Sequence, residues 1–135
     1  MGLVIRNRAP PRGDALHDSR LATRRLLGGV DRAALIRPYV SPRSAIVLVQ
    51  NGIDVEPEVA RAFPANAFIS GVAYSAVSRV APGVVKHHSQ YTRLVLGNFP
   101  SGISEAVTKL AELITAGGSN GVATDDIVGA RWAKC

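Results

Sequence analysis

The fold is decided by the stretch Ser44-Ala45-Ile46-Val47-Leu48-Val49-Gln50-Asn51-Gly52. Its residues are small or apolar from Ala45 to Val49, and the run then ends abruptly on a polar Gln-Asn-Gly. A short β-branched run bounded by turn residues is typical of a strand that is buried on both faces, as in a parallel sheet. Ligands of open α/β sheets bind just beyond the carboxyl ends of such strands. Asn51 and Gly52 are therefore the first candidates for a functional site.

Helix and strand signals alternate on both sides of this strand, and they predict an α/β fold. Asp31 is expected to cap a short helix through residues 34–36, and the acidic segment 54–58 to start a helix that ends at Pro64. A strand is predicted from 67 to about 80, followed by strands 84–87 and 93–97 in an antiparallel meander. A helix is predicted to open at 101–105 and to close at Gly117-Gly118. An edge strand at 121–123 and a last helix at 127–135, capped by Asp125-Asp126, complete the predicted elements. The apolar face of the helix that follows residue 101 is predicted to contain Ile103, Val107, Leu110, Leu113 and Ile114.

Size and composition favour one globular domain without disulfides. The chain has 135 residues, of which 47% are hydrophobic, and its single cysteine is Cys135. One cysteine cannot form an intramolecular disulfide, and this suits a reducing compartment. No apolar run reaches the length that a bilayer span or a signal peptide needs. We therefore expect a cytoplasmic protein without a membrane partner.

Positive charge is concentrated at the N-terminus. Residues 1–43 contain nine arginines and three aspartates, whereas the remainder contains seven basic and seven acidic residues. One interpretation of residues 1–28 is a basic arm that binds phosphate backbones. The segment has no interleaved aromatic residues and no nucleic-acid motif, which favours the other interpretation, a disordered leader. The domain proper is then predicted to cover residues 29–135, with no nucleic acid as partner.

Several kinds of active site are excluded by the motifs. His87 and His88 are adjacent, so on a strand they face opposite sides and cannot chelate one metal ion together. No cysteine or carboxylate stands at ligand spacing from them, and no metal site is predicted. Gly117-Gly118-Ser119-Asn120-Gly121 has the spacing of a Gly-x-Ser-x-Gly motif, but it follows a predicted helix and not a strand, which is the wrong context for a nucleophile elbow. No Gly-x-Gly-x-x-Gly motif occurs in the sequence.

Asn51 and Lys134 remain as candidates, each with a plain alternative. Asn51 offers a donor and an acceptor at a strand end, but an asparagine there can also be a simple turn residue. Lys134 can act as a general acid toward a carbonyl oxygen if it is held in a site, and otherwise it is a solvated surface lysine. Spacing alone leaves both alternatives open.

Four motifs together resemble the ketopantoate reductase (2-dehydropantoate 2-reductase) family. They are Val47-Leu48-Val49-Gln50-Asn51-Gly52-Ile53, Gly71-Val72-Ala73-Tyr74, Pro82-Gly83-Val84-Val85-Lys86-His87, and the segment from Asp125-Asp126-Ile127 to Trp132-Ala133-Lys134. Their order and spacing agree with the family over about residues 29–135. Before that point, only Ala22-Thr23-Arg24 stands where the family has a similar strand end.

The resemblance implies an NADPH-dependent enzyme that reduces the ketone of 2-dehydropantoate, or of a related 2-keto acid, on the route to pantothenate and coenzyme A. Asn51 matches the asparagine that contacts both cofactor and substrate, and Gly52 adjoins it on the cofactor side. Lys134 matches the lysine of a Trp-x-Lys motif, the expected general acid. A Rossmann-type domain followed by a helical domain is the family architecture.

The family's N-terminal glycine-rich loop and its helical domain have no counterpart in this sequence. The chain is thus predicted to be the second half of a dinucleotide-binding domain, and to be weak or inactive as a reductase by itself. The alternative hypothesis is a non-catalytic fragment that binds a partner, or a second copy of itself, through an exposed sheet edge or the basic arm.

Overall fold

The structure, a computed structural model, describes residues 20–22 and 31–134. The described strands are β1 (Arg20–Ala22), β2 (Ala45–Val49), β3 (Ala67–Tyr74), β4 (Val77–Ala81), β5 (Val84–His87), β6 (Arg93–Asn98) and β7 (Asn120–Ala123). The described helices are α1 (Arg32–Ile36), α2 (Glu56–Ala62), α3 (Glu105–Ala116) and α4 (Ile127–Trp132), and a 3₁₀ turn (Arg37–Tyr39) follows α1. The predicted α/β class is confirmed.

The described strands form a mixed five-stranded sheet and a separate hairpin. The sheet has the order β1-β2-β3-β6-β7, in which β1, β2 and β3 are parallel. β6 runs antiparallel to β3, and β7 is parallel to β6 at the edge. The prediction that residues 45–49 belong to a parallel sheet, and the prediction of an edge strand at 121–123, are both confirmed.

β2 is buried on both faces, as its sequence predicts. Ile46 and Leu48 pack into a core with α1 and α2 on one face of the sheet, whereas Val47 packs into a core with α3 on the other face. These three residues are at most 2% exposed. A third cluster joins α4 to β3 and β6 through Ile127, Val72 and Val95.

The region after β3 differs from the prediction. One strand was expected from 67 to about 80, but β3 ends at Tyr74 and β4 begins at Val77. The predicted turn at Pro82-Gly83 is confirmed, yet β5 pairs with β4 rather than with β6. The predicted meander is wrong in this pairing, because β3 and β7 already occupy the two edges of β6.

The apolar face of α3 is also partly different. Val107 and Ala111 are buried, whereas Ile103 is 50% and Leu113 is 56% exposed. Ile103 precedes the N-cap Ser104 and so lies outside the helix. Leu113 lies six positions after Val107, which at about 100° per residue places it away from the buried face. The predictions for Ile103 and Leu113 were wrong.

Only three residues of the predicted leader, 20–22, belong to the part of the chain that the structure describes. Arg20–Ala22 form β1 beside β2, so the expectation of a disordered leader is wrong there and the edge of β2 is covered. Residues 1–19 and 23–30 lie outside the described residues, and with them the question of a basic arm. Within residues 20–22 and 31–134, every helix is too short or too polar to cross a bilayer.

Candidate active site

The segment that leaves β2, which we call the exit loop (Gln50-Asn51-Gly52), lies at the carboxyl end of the parallel strands. Gly52 has φ +110°, a backbone conformation that residues other than glycine rarely adopt, and Asp54 has φ +58°. These two residues turn the chain sharply from β2 into α2. The turn leaves Asn51 and Gly52 exposed at the edge of the sheet, where ligands of open α/β sheets bind.

Helix α4 reaches this edge because its N-terminus is fixed at β6. Asp126 caps the helix, with its carboxylate accepting a hydrogen bond from the backbone N–H of Gly129 at 2.8 Å, as predicted. Ile127 is buried against β3 and β6. A Cβ atom on Gly97 would lie 2.5 Å from the carbonyl oxygen of Thr124, so the absence of a side chain there allows the close approach.

The structure brings Asn51 and Lys134 together, although 83 residues separate them. The Lys134 ammonium donates hydrogen bonds to Oδ1 of Asn51 and to the carbonyl oxygen of Ala73, both at 2.5 Å. It also lies 5.4 Å from the centre of the Tyr74 ring, within the range of a cation–π contact. The ammonium is thus held between the ends of β2 and β3 and does not extend into solvent as an ordinary surface lysine does.

A buried ion pair lies directly beneath this contact. Nη2 of Arg131 is 2.5 Å from Oε1 of Glu56, and these side chains are only 6% and 5% exposed. The hydroxyl of Ser70 donates a hydrogen bond to Glu56 at 2.6 Å and accepts one from Arg131 at 2.7 Å. Arg131 also donates to the carbonyl oxygens of the exit loop, at Gln50 and, at 3.1 Å, at Gly52.

Sequence reasoning missed this cluster of Arg131, Glu56 and Ser70. A signal for Arg131 exists, because it follows Ile127 by four positions and so shares the face of α4 that packs against the sheet. Ser70 is a polar residue within the apolar run of β3, on the same face as Phe68 and Val72. A polar residue on a buried face requires a partner, so the inward-facing Arg131 and Ser70 could have been predicted to interact.

The cleft above the exit loop has a volume of about 240 Å³ and is lined by Asn51, Gly52, Val72, Arg131 and Lys134. That volume is below the usual range for drug-sized ligands, so it suits a small molecule or the reacting end of a larger one. An amide, an ammonium and an apolar wall are groups that can hold a small carbonyl compound through hydrogen bonds and apolar contact. Among residues 20–22 and 31–134, no three His, Cys, Asp or Glu side chains are grouped so as to hold a metal ion.

Parallel strands, covering helices and a polar cleft at the strand ends define a Rossmann-like α/β protein. The family model for ketopantoate reductase PanE/ApbA matches residues 27–101. The chain belongs to this family, as its sequence motifs predict. The matched region contains the exit loop and ends before α4, so it includes Asn51 and excludes Lys134.

Individual relatives agree with this assignment. The 2-dehydropantoate 2-reductase of Methylococcus capsulatus is 49% identical, with a TM-score of 0.80 over 87% of this chain and 38% of that one. The corresponding structure from Geobacter metallireducens is 35% identical, with a TM-score of 0.67 over 74% of this chain and 33% of that one.

A curated 2-dehydropantoate 2-reductase of Nostoc sp. is 26% identical over 105 residues, which are 74% of this chain and 33% of the relative. The chain therefore spans between a third and two fifths of the length of these relatives.

Proposed function

We propose that the chain carries the reacting end of an NADPH-dependent reductase that converts 2-dehydropantoate, a 2-keto acid, to pantoate. The observation that supports this most is the hydrogen bond between Lys134 and Asn51, because it joins a proton donor to the exit of a parallel strand. The family assignment and the names of the relatives agree with the proposal. The site is proposed to act in the cytoplasm, on the pathway to pantothenate.

The residues of the cleft have distinct proposed roles. When bound, the cofactor supplies a hydride to the ketone carbon. The Lys134 ammonium donates a hydrogen bond to the ketone oxygen and transfers its proton there as the carbon is reduced, which yields an alcohol and a neutral amine. Asn51 orients the ammonium through Oδ1 and contacts both substrate and cofactor, and the backbone of Gly52 lies on the cofactor side.

The cleft is proposed to receive only the reacting ends of the cofactor and the keto acid, and its volume of about 240 Å³, below the usual range for drug-sized ligands, supports this. NADPH is proposed over NADH on the family resemblance. Because the chain spans a minor part of its relatives, we propose that turnover by this chain alone is slow. The competing proposal is a non-catalytic fragment that binds a partner or a second copy.

Turnover distinguishes these proposals. The purified chain is mixed with NADPH and 2-dehydropantoate, and both the loss of reduced-nicotinamide absorbance and the formation of pantoate by mass spectrometry are followed. We expect slow pantoate formation, and a loss of about 10-fold or more in Asn51→Ala because an orienting hydrogen bond disappears. The exposed Asn120 provides the matched control, Asn120→Ala, which should keep the wild-type rate.

The same assay with NADH and with pyruvate tests the cofactor and the keto acid. Faster reaction with NADPH and 2-dehydropantoate supports the assignment. Absence of pantoate with either cofactor would instead support the non-catalytic alternative.

A further inference from the structure

We propose that Arg131, together with Glu56 and Ser70, is a positioning unit that holds the exit loop against α4 and so keeps Asn51 within hydrogen-bond reach of Lys134. The catalytic meaning of this unit rests on the proposed function, whereas the positioning itself does not. Arg131 does not have to touch substrate for this role, because it acts through the backbone of the exit loop.

The contacts of α4 with the exit loop involve three consecutive residues. Arg131 donates to the backbone carbonyls of Gln50 and Gly52, and Lys134 donates to the side chain of Asn51, which stands between them. Arg131 and Lys134 are three positions apart, close to one helical turn. Asn51 therefore cannot move away from α4 while both neighbouring carbonyls remain bound to Arg131.

Arg131 and Lys134 also form hydrogen bonds with the backbone of β3. Arg131 donates to the carbonyl of Gly71 at 3.4 Å, and Lys134 donates to the carbonyl of Ala73 at 2.5 Å. Residues two apart on a strand point their carbonyls to the same side. Arg131 and Lys134 thus connect the ends of β2 and β3, and the backbone acceptors on both strands restrict where the Asn51 and Lys134 side chains can meet.

Glu56 and Ser70 fix the guanidinium itself. A buried guanidinium needs a counter-charge, which Glu56 supplies from the first turn of α2. Ser70 bridges the two charged groups from the inner face of β3. Because guanidinium is planar with donors in a rigid fork, binding Glu56 and Ser70 through Nη2 leaves Nη1 directed at the exit loop. An ammonium lacks this fork, so lysine at position 131 would keep the charge and lose the geometry.

Nuclear magnetic resonance can test this directly, because the chain has only three lysines: Lys86, Lys109 and Lys134. The test compares the wild-type chain with Arg131→Lys, following the lysine ¹³Cε signals and the side-chain amide of Asn51. We expect the Lys134 and Asn51 signals to move or broaden while those of Lys86 and Lys109 stay in place. Arg61→Lys is the matched control, since it adds one lysine at an exposed position of α2 and should move neither signal.

Unchanged Lys134 and Asn51 signals in folded Arg131→Lys would overturn the proposal, and a purely structural role for Arg131 would give that result together with a lower melting temperature. If Arg131→Lys does not fold, Ser70→Ala decides in its place, because it removes only one hydroxyl from the same guanidinium. Neither comparison needs turnover.

A turnover assay tests whether the positioning unit matters for catalysis. In Arg131→Lys the rate of pantoate formation should fall about 10²-fold, since small misplacements of reacting groups cost this much, with the Kd of NADPH nearly unchanged. An unchanged rate would overturn the catalytic meaning of the unit. A wild-type chain that forms no pantoate would refute only the proposed function. The Lys134 and Asn51 signals would still test whether Arg131 positions the exit loop.

Discussion

Arg131 is the residue on which the geometry of the site depends most. It is 5% exposed and carries a full charge in a region whose other buried residues are mainly apolar. Removing a charged group from water costs several kcal/mol, and the cost is offset only when the partner and the remaining hydrogen bonds are in place. Glu56, Ser70 and the carbonyls of the exit loop provide these partners for Nη1 and Nη2, whereas Nε has no hydrogen-bond partner among the described residues.

Glu56→Gln should therefore destabilise the fold strongly. The change keeps the shape of the side chain but leaves the Arg131 charge without its buried counter-charge, and breaking such a pair costs about 3–5 kcal/mol. The measurement is the free energy of unfolding from urea denaturation at neutral pH. The comparison is Glu105→Gln, which breaks the exposed 2.5 Å ion pair with Lys109 on α3.

Lys109 holds the pKa of Glu105 below its ordinary value, mainly through a hydrogen bond and then through its charge. Both groups are open to solvent, where ion pairs contribute little to stability. Glu105→Gln should leave the urea midpoint unchanged. A small effect of Glu56→Gln, comparable to that of Glu105→Gln, would contradict a buried and energetically coupled cluster.

At the residue scale, the sequence indicated the polar side chains that are exposed and missed those that are buried. Asn51 could be found because a polar residue stands at the end of an apolar run, and Lys134 because of the family resemblance. Their contact joins residues 83 positions apart, and no local spacing contains that information. Glu56 was interpreted only as a favourable acid in the first turn of α2, since its buried partner lies on another element.

At the scale of the elements, the position of α4 depends on a glycine in β6. A Cβ atom at Gly97 would lie 2.5 Å from the Thr124 carbonyl oxygen and 2.9 Å from Cβ of Ile127. Real Cβ atoms do not approach other atoms so closely, so a larger residue would push the start of α4 away from the sheet. Lys134 follows α4 by two residues, because the helix ends at Trp132 and not at 135 as predicted, and it would move with the helix.

Gly97→Ala is expected to lower the free energy of unfolding by about 1–3 kcal/mol, the usual cost of overpacking. It should also weaken the contact between Lys134 and Asn51, visible as a changed Lys134 ¹³Cε signal. Gly117→Ala is the matched control, because its nearest neighbour would lie at 3.4 Å and its φ is −77°. Equal stability of Gly97→Ala and Gly117→Ala would show that α4 has room to adjust.

Most element positions could be predicted from the sequence, but their pairing could not. The caps Asp31, Ser104 and Asp126 mark helix starts through local hydrogen bonds, which depend on neighbouring residues only. The partner of β5 depends instead on which sheet edges remain open after β3 and β7 have paired with β6. Leu113 was misassigned because its position, six residues after Val107, is turned away from the buried face of α3.

At the scale of the whole molecule, the site lies where three parts of the chain converge. The exit loop follows β2, and β3 supplies Ser70 and backbone acceptors. The two cationic side chains come from α4 and from the turn that follows it. The described chain thus holds the proposed proton donor, Lys134, and the residues proposed to orient it in one connected arrangement. The chain covers 33% of the Nostoc relative and 38% of the Methylococcus capsulatus relative.

The role of Lys134 is tested most directly by the rate of NADPH oxidation by 2-dehydropantoate in a single turnover. Wild-type, Lys134→Ala and Lys109→Ala chains are compared, each at a protein concentration above that of the cofactor. We expect the rate to fall about 10²-fold or more in Lys134→Ala, because the general acid is missing, while the Kd of NADPH changes little. Lys109→Ala, at an exposed position on α3, should retain the wild-type rate. An undiminished rate in Lys134→Ala would contradict the role of Lys134 as the proton donor.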